Sequence, residues 1–179
     1  MNTDNIERYL NSFGKQVVNR AKGNLKKAKK GGRLEQSIKF KVVPDADGFT
    51  LQFYMSSYGQ FVDKGVSGTQ KKRKYKDYQS KTISSPYKYT NKQPPAGILA
   101  KWISRKRIKG RDKKSGRFIT NLSLAFIIGR AIKRDGIQGI SFFQKPLGLG
   151  LKQFGKDLLG NVKQDIIDTL NKETITQVN

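Results

Sequence analysis

The chain has 179 residues, 37 Lys and Arg against 13 Asp and Glu, a formal net charge of +24 and 35% hydrophobic residues. The length suits one domain, and the apolar share is low but enough for a core. With neither cysteine nor histidine, the chain has no disulfide, thiol nucleophile, cysteine zinc site or imidazole base.

Residues 4 to about 30 place Ile6, Tyr9, Leu10, Phe13, Val17, Ala21, Leu25 and Ala28 three or four apart, which predicts an amphipathic helix. Lysines crowd its end, where cations suit the helix dipole, and the glycines at 31–32 are expected to stop it. "SIKFKVV" and "FTLQFYM" alternate with period two around the turn "PDADG", the pattern of an antiparallel hairpin. Its inward face carries Ile38, Phe40, Val42, Phe49, Leu51, Phe53 and Met55, and Phe13, Phe40 and Phe53 are expected to be buried together. "YGQFVDKGVSG" (58–68) follows and reads as a glycine-rich turn. Tyr58, Phe61 and Val62 would anchor it on the sheet or on a neighbouring subunit, and Gly65 would let the backbone bend.

Residues 69–92 hold eight Lys or Arg, one acid and no apolar period, so they read as a basic arm. "PPAGILAKWISRK" opens with prolines and predicts a helix with Ile98, Leu99, Trp102 and Ile103 on its apolar face. A second basic loop spans 104–117. "NLSLAFIIGRAIKR" predicts a helix capped by Thr120 or Asn121, burying Leu122, Ala125, Phe126, Ile128 and Ile132. A glycine-punctuated connector carries an apolar patch at Ile140, Phe142 and Phe143, the last two read as interface or turn residues. Residues 150–171 predict a last amphipathic helix through Leu151, Phe154, Leu158, Val162, Ile166 and Leu170. The whole reads as α+β: a long N-terminal helix packed on a small antiparallel sheet, with additional C-terminal helices and two basic loop insertions, in a single domain over 1–179. Both insertions lack an apolar period and carry like charges, so they are expected to be mobile in the isolated subunit and ordered on assembly.

Little in the chain invites catalysis. Asp45 and Asp47 sit in a hairpin turn, where aspartate serves local hydrogen bonding. Asp165 and Asp168 lie three apart on the last helix and read as part of a solvated face. Asp63 reads as a turn cap or an ion-pair partner. The three glutamates are scattered, whereas a magnesium nuclease needs converging carboxylates. "GVSGTQKK" lacks the form of a P-loop, and "GLGLKQFG" reads as a flexible helix entry. No catalytic residue, cofactor or metal is expected.

The charge points instead to a polyanion or an acidic protein as partner. The contact residues would be Lys71, Lys72, Arg73, Lys74 and Lys76 in the arm and Arg105, Lys106, Arg107, Lys109 and Arg111 in the loop. Tyr75, Tyr78, Tyr87 and Tyr89 are interleaved with cations; they would stack on bases or pack against their own subunit or a neighbour. No motif for reading base edges is present, so any DNA contact would be to phosphates. No run of about 18 apolar residues is present, so no transmembrane helix is expected. The first residues do not resemble a secretory signal, so folding in a cytoplasm is expected.

The order of elements resembles the tail-completion and head–tail connector proteins of long-tailed bacteriophages. The resemblance rests on Gly32, Leu34, Ser37 and Ile38 opening the first strand, on Tyr58, Phe61, Val62 and Gly65 after the hairpin, and on Gly136, Ile137, Phe142 and Phe143 before the final helix. It implies a structural virion protein and not an enzyme: a homo-oligomeric ring at the neck, between portal and tail, through which DNA passes. The partners would be portal, neck or tail proteins, in the host cytoplasm during assembly and in the virion afterwards. The alternative is a nonspecific nucleic-acid-binding protein acting as a monomer or dimer; a metal-dependent nuclease comes third.

Overall fold

A computed structural model describes residues 3–28, 30, 32–46 and 48–177, with side chains as far as Leu170. Gly31 and Asp47, which figure in the expected helix stop and hairpin turn, lie outside the described residues. In chain order the elements are α1 (Asp4–Lys27), α2 (Arg33–Ser37), β1 (Lys39–Asp45), β2 (Gly48–Tyr54), α3 (Gly59–Lys64), β3 (Val66–Ser67), β4 (Lys74–Lys76), β5 (Thr82–Ser84), α4 (Ala96–Lys106), α5 (Asn121–Asp135), β6 (Gly136–Ile137) and α6 (Gln144–Gln177). The fold is α+β, with a long N-terminal helix, small antiparallel sheets and C-terminal helices. No helix among the described residues is long and apolar enough to cross a membrane.

The single domain expected over 1–179 divides into two compact units. One comprises residues 1–59, 76–81 and 141–179, and the other 60–75 and 82–140. The chain passes between them four times, twice within glycine-bearing stretches, at 59–60 and 140–141.

In the first unit α1 is the central element. Leu10, Phe13, Val17, Val18, Ala21 and Leu25 are buried along it at helical spacing. One part of this surface takes the β1–β2 hairpin, whose register runs from Lys39 opposite Tyr54 to Asp45 opposite Gly48. Phe40 lies against Gly14 of α1, so closely that a Cβ there would overlap the ring. Phe53 stands between Phe40 and Phe143, with ring centroids at 6.5 and 5.3 Å. Another part takes α6, through Tyr9, Phe13 and Phe154, and the Phe13 and Phe154 rings meet edge-on at 4.8 Å.

Phe13 therefore packs against α6 and not with Phe40 and Phe53. The helix turns about 100° per residue, so Phe13 and Gly14 address different neighbours. One further expectation is corrected. "GRLEQS" does not open the first strand but forms α2. The Ser37 hydroxyl donates to the Leu34 carbonyl at 2.7 Å and accepts from the Ser56 amide at 3.0 Å, which closes that turn before β1. Phe142 and Phe143, expected in an interface or turn, lie in the turn before α6 and are buried, at 0% and 8% exposure. The Phe142 carbonyl also accepts from the Asn24 side chain.

"GLGLKQFG" lies inside α6, and its glycines make room. Gly148 sits under the Tyr78 carbonyl of the 76–81 segment, and Gly150 sits under the Phe13 ring. In that segment Asp77 accepts from the Lys81 amide at 2.8 Å, and the Ser141 hydroxyl accepts from the Lys76 amide at 3.0 Å.

The face of α6 that carries Asp165 is not solvated. Asp165 is fully buried, and its carboxylate accepts from the Asn5 and Ile6 amides at 3.1 Å and from the Asn5 side chain at 2.8 Å. It caps α1 from a residue distant in sequence, doing what a local side chain usually does; Thr3 makes no such bond. Burial acts to raise its pKa, but the Asn5 and Ile6 amides, the Asn5 side chain and the Arg8 charge outweigh it, and the net shift is downward. With α6 held this way, Ile166 and Leu170, expected in the core, are exposed at 44% and 57%.

Asp165→Ala should lower stability by about 1–2 kcal/mol, the usual worth of a helix cap. Because the folded pKa is depressed, this contribution is present above the unfolded carboxyl value of about 3.9 and fades as pH falls through the folded value. Denaturant melts of both proteins from pH 7 down to pH 3 check this: the gap between them should narrow on acidification.

Candidate nucleic-acid interface

The second unit carries most of the expected contact residues. Its frame is a close backbone crossing. β3 pairs antiparallel with β6, Val66 opposite Ile137 and Ser67 opposite Gly136. Tyr58 lies in a turn, but "GQFVDK" after it is helical over α3, and the Gly65 amide closes the last turn on the Phe61 carbonyl at 2.9 Å. Gly65 then takes φ +74°, and a Cβ there would strike the Gly139 backbone. At Gly68 a Cβ would strike the Arg134 carbonyl. These glycines are required by the approach of two backbones. Phe61 is 45% exposed and meets Tyr87 edge-on at 4.6 Å, and Tyr87 also bonds Gln60. The Val62 carbonyl accepts from the Ile140 amide at 3.1 Å. Tyr58 is 45% exposed in the first unit.

Residues 69–92 are not a structureless arm. The amides of Thr69, Gln70 and Lys71 donate to the Lys133 and Arg134 carbonyls at 2.9 to 3.3 Å. Those carbonyls belong to the last turn of α5, where a helix leaves its acceptors unsatisfied. Further on, the Ser67 amide donates to the Tyr87 carbonyl and the Tyr89 amide donates to the Ser67 carbonyl, both at 2.8 Å. β4 and β5 pair between these points. Backbone groups do this work, so the segment folds without an apolar period.

The folding gathers charge. Lys71, Arg73 and Arg134 meet at the C-terminal end of α5 around Asp135. Arg134 grips the Asp135 carboxylate with two hydrogen bonds, at 3.1 and 2.7 Å, and Lys71 lies 3.8 Å away. The hydrogen bonds from Arg134 hold the Asp135 carboxyl below the usual carboxylate range, and the charges of Arg134, Lys71 and Arg73 act in the same direction. Arg73 donates Nε–H to the Asp135 carbonyl at 2.7 Å, and the Ser67 hydroxyl accepts from its amide. Its Nε–H is therefore engaged in the fold. Lys133 donates to the Asn91 carbonyl.

Lys72 and Lys88 stand over a cleft of about 360 Å³ lined also by Ser67, Gly68, Thr69, Gln70, Ser84, Ser85 and Pro86. Hydroxyls, amides and two ammonium groups on a shallow wall suit phosphate oxygens. Lys74 is exposed beside it in β4, while Lys76 belongs to the first unit. Of the four interleaved tyrosines, Tyr75 is buried, Tyr87 and Tyr89 are half-buried, and Tyr78 is 46% exposed. Burial raises the Tyr89 pKa. Packing within the protein accounts for three of them.

The 104–117 segment is also ordered. Arg105 and Lys106 are the last residues of α4, and Arg107 turns the chain at φ +54° while Ile108 bonds back to Ile103 at 3.1 Å. Arg111 bridges antiparallel to Phe118 and lies 4.3 Å from its ring centroid, with Lys109 at 5.6 Å. Asp112 closes the turn, accepting from the Ser115 amide and hydroxyl and the Lys114 amide. The Ser115 amide, first among these donors, keeps its carboxyl below the usual range. Lys109 and Arg111 are thus drawn to an aromatic face, away from the α5 terminus cluster.

Among the described residues, no three acidic side chains gather where they could share a metal ion. Asp63 is buried in α3. Sequence reading missed Asp135 as the counterion, although it is the one acid directly after Lys133 and Arg134. It also missed Lys88 and Lys133 as members of the charged surface. No protein-family model, curated protein or solved structure matches the chain.

The backbone crossing is the feature most exposed to a single change. Gly65→Ala adds a side chain where φ is positive and the opposing backbone fills the space. A loss of about 2–4 kcal/mol is expected, combining left-handed strain with overpacking. A thermal melt with a midpoint within about 2 °C of the parent would contradict the crossing as described.

Proposed function

We propose that this protein is a structural subunit of a phage head–tail connector, assembling as a ring whose second unit meets DNA through phosphates. The observation that carries the reading is the fixed cluster at the end of α5. Lys72 and Lys88 line a polar cleft, Lys71 pairs with Asp135, and Lys74 is exposed in β4, all on a folded backbone. A preorganised set of ammonium groups neutralises a polyanion without the entropic cost of ordering an arm. With Tyr75, Tyr87 and Tyr89 engaged in the protein and no base-reading motif, recognition is indifferent to sequence. The ring, its portal and tail neighbours, and the virion location rest on the sequence resemblance.

The test replaces Lys71, Lys72, Lys74 and Lys88 with Gln and leaves Arg73 in place, so that the fold keeps its bond to Asp135. DNA affinity measured from 50 to about 200 mM salt should fall, and the plot of log K against log salt should flatten by about one unit per lost phosphate contact. Assembly followed by electron microscopy and sedimentation should be unchanged. Unaltered DNA binding in a variant that fails to join its neighbours would make the cluster a protein-docking surface. A parent chain that stays monomeric or dimeric in high salt without DNA, with binding that collapses as salt rises, would favour a free nonspecific nucleic-acid-binding protein.

A further inference from the structure

We propose that the open groove between α4 and α5 docks an acidic amphipathic helix of another protein. The groove has a volume of about 740 Å³ and is walled by Ile98, Leu99 and Trp102 of α4 and by Ile128 and Ile132 of α5. It is an unpaid surface: Ile98 is 67% exposed and Trp102 37% exposed, although the sequence pattern marks both for a core. The reason they stay outside is visible in the packing. Ile103 and Ala125 are fully buried, and Gly129 lets Leu99 come close, so α4 and α5 meet along a narrower line than the apolar stripes on either helix. The remaining apolar side chains are left standing along one side of that line.

The groove is preformed. The turn that joins its helices is fixed at one end by Arg107 capping α4 and at the other by the Thr120 hydroxyl accepting from Ser123 at the start of α5. Between them lie the Asp112 turn and the bridge from Arg111 to Phe118. A fixed apolar groove about the length of an eleven-residue helix, roughly 16 Å, takes two to three turns of a partner helix with anchors at i, i+3 and i+4.

Charge selects the occupant. Lys101 and Arg105, four residues apart on α4, stand over the apolar walls, and no carboxylate lines the groove. A helix with leucines on one stripe and glutamates beside it satisfies both parts at once. A second copy of this chain is the other candidate, because α6 exposes Leu159 at 70% and Ile166 at 44%. Lys156 and Lys163, three or four residues from Leu159, would then face Lys101 and Arg105, and the acids of that helix region are turned to α1 through Asp165 and Asp168. Like charges disfavour that arrangement. The inference does not depend on the nucleic-acid reading, since it uses none of the cluster at the end of α5.

Trp102 is the only tryptophan in the chain, so its fluorescence reports the groove directly. The experiment titrates the full chain, at about 150 mM salt, with two synthetic helical peptides sharing one leucine stripe, one flanked by Glu and one by Lys. The Glu peptide should shift Trp102 emission to the blue and saturate, and the Lys peptide should not. Lys101→Gln with Arg105→Gln should weaken the Glu peptide about tenfold. Ile98→Asp, at an exposed position, should abolish binding with an unchanged melt, and Ile98→Ala should weaken it. A Glu peptide without leucines should leave the emission unmoved. The proposal is overturned by equal binding of both peptides, by no shift with the Glu peptide, or by a shift that survives Ile98→Asp. A blue shift that grows with protein concentration alone, with sedimentation showing a dimer, would hand the groove to a second copy and likewise overturn it.

Discussion

The buried carboxylate of Asp165, bonded to the amides of Asn5 and Ile6, fixes where α1 begins and how α6 lies on it. Much else in the first unit follows. With α6 set by that bond, Phe154 meets Phe13, and Gly150 must be small because the Phe13 ring rests on it. With α1 set, Gly14 offers the hollow for Phe40, and the hairpin falls into place above it. A charge inside a protein is costly unless fully bonded. Here the acceptors answer donors that a helix start leaves open in any case, so one buried acid resolves two problems.

Aspartate is used in the same economical way elsewhere. In a chain of net charge +24, each acid placed among cations offsets repulsion that folding would otherwise concentrate. Asp135 holds Arg134 and Lys71 where the backbone of 69–71 comes down on the end of α5. Asp112 ties the loop between α4 and α5, and Asp77 closes the turn at 76–81. Each of these three acids is bonded to groups close to it in sequence.

Elements governed by side-chain period were legible in the sequence. The stripe of α1, the alternation of the hairpin and the α+β order follow from apolar spacing alone. Features governed by backbone bonding were not. The 69–92 segment has no period, yet it folds because the last carbonyls of α5 need donors; nothing in "TQKK" announces that. The burial of Asp165 was hidden because its partners are 159 and 160 residues away in sequence. The exposed faces of α5 and α6 were misread for a related reason. A stripe states that a helix has an apolar side, but not how much of that side its neighbours cover. Leu122 and Phe126, expected inside, remain about half exposed. The candidate contact residues show the same split: the sequence located the cations, while their division into backbone-bonded Arg73, ring-bound Arg111 and outward Lys72 required the fold.

Order in the basic segments changes what their charge can do. A mobile arm meets a polyanion at the cost of restricting many rotatable bonds, and its cations are spread through a large volume. Anchored by backbone bonds to α5, the same lysines hold fixed spacing around a cleft of hydroxyls and amides. Spacing then becomes a means of selection even without base contacts, because phosphates along a duplex have a regular interval and those of a flexible strand do not. The apolar surface follows a parallel logic on the α4–α5 pair, where two small residues, Ala125 and Gly129, bring the helices together and thereby leave Ile98 and Trp102 standing outside the contact. In both places the surface that remains to meet a partner is set by backbone proximity, and side-chain composition only decides which partner it suits.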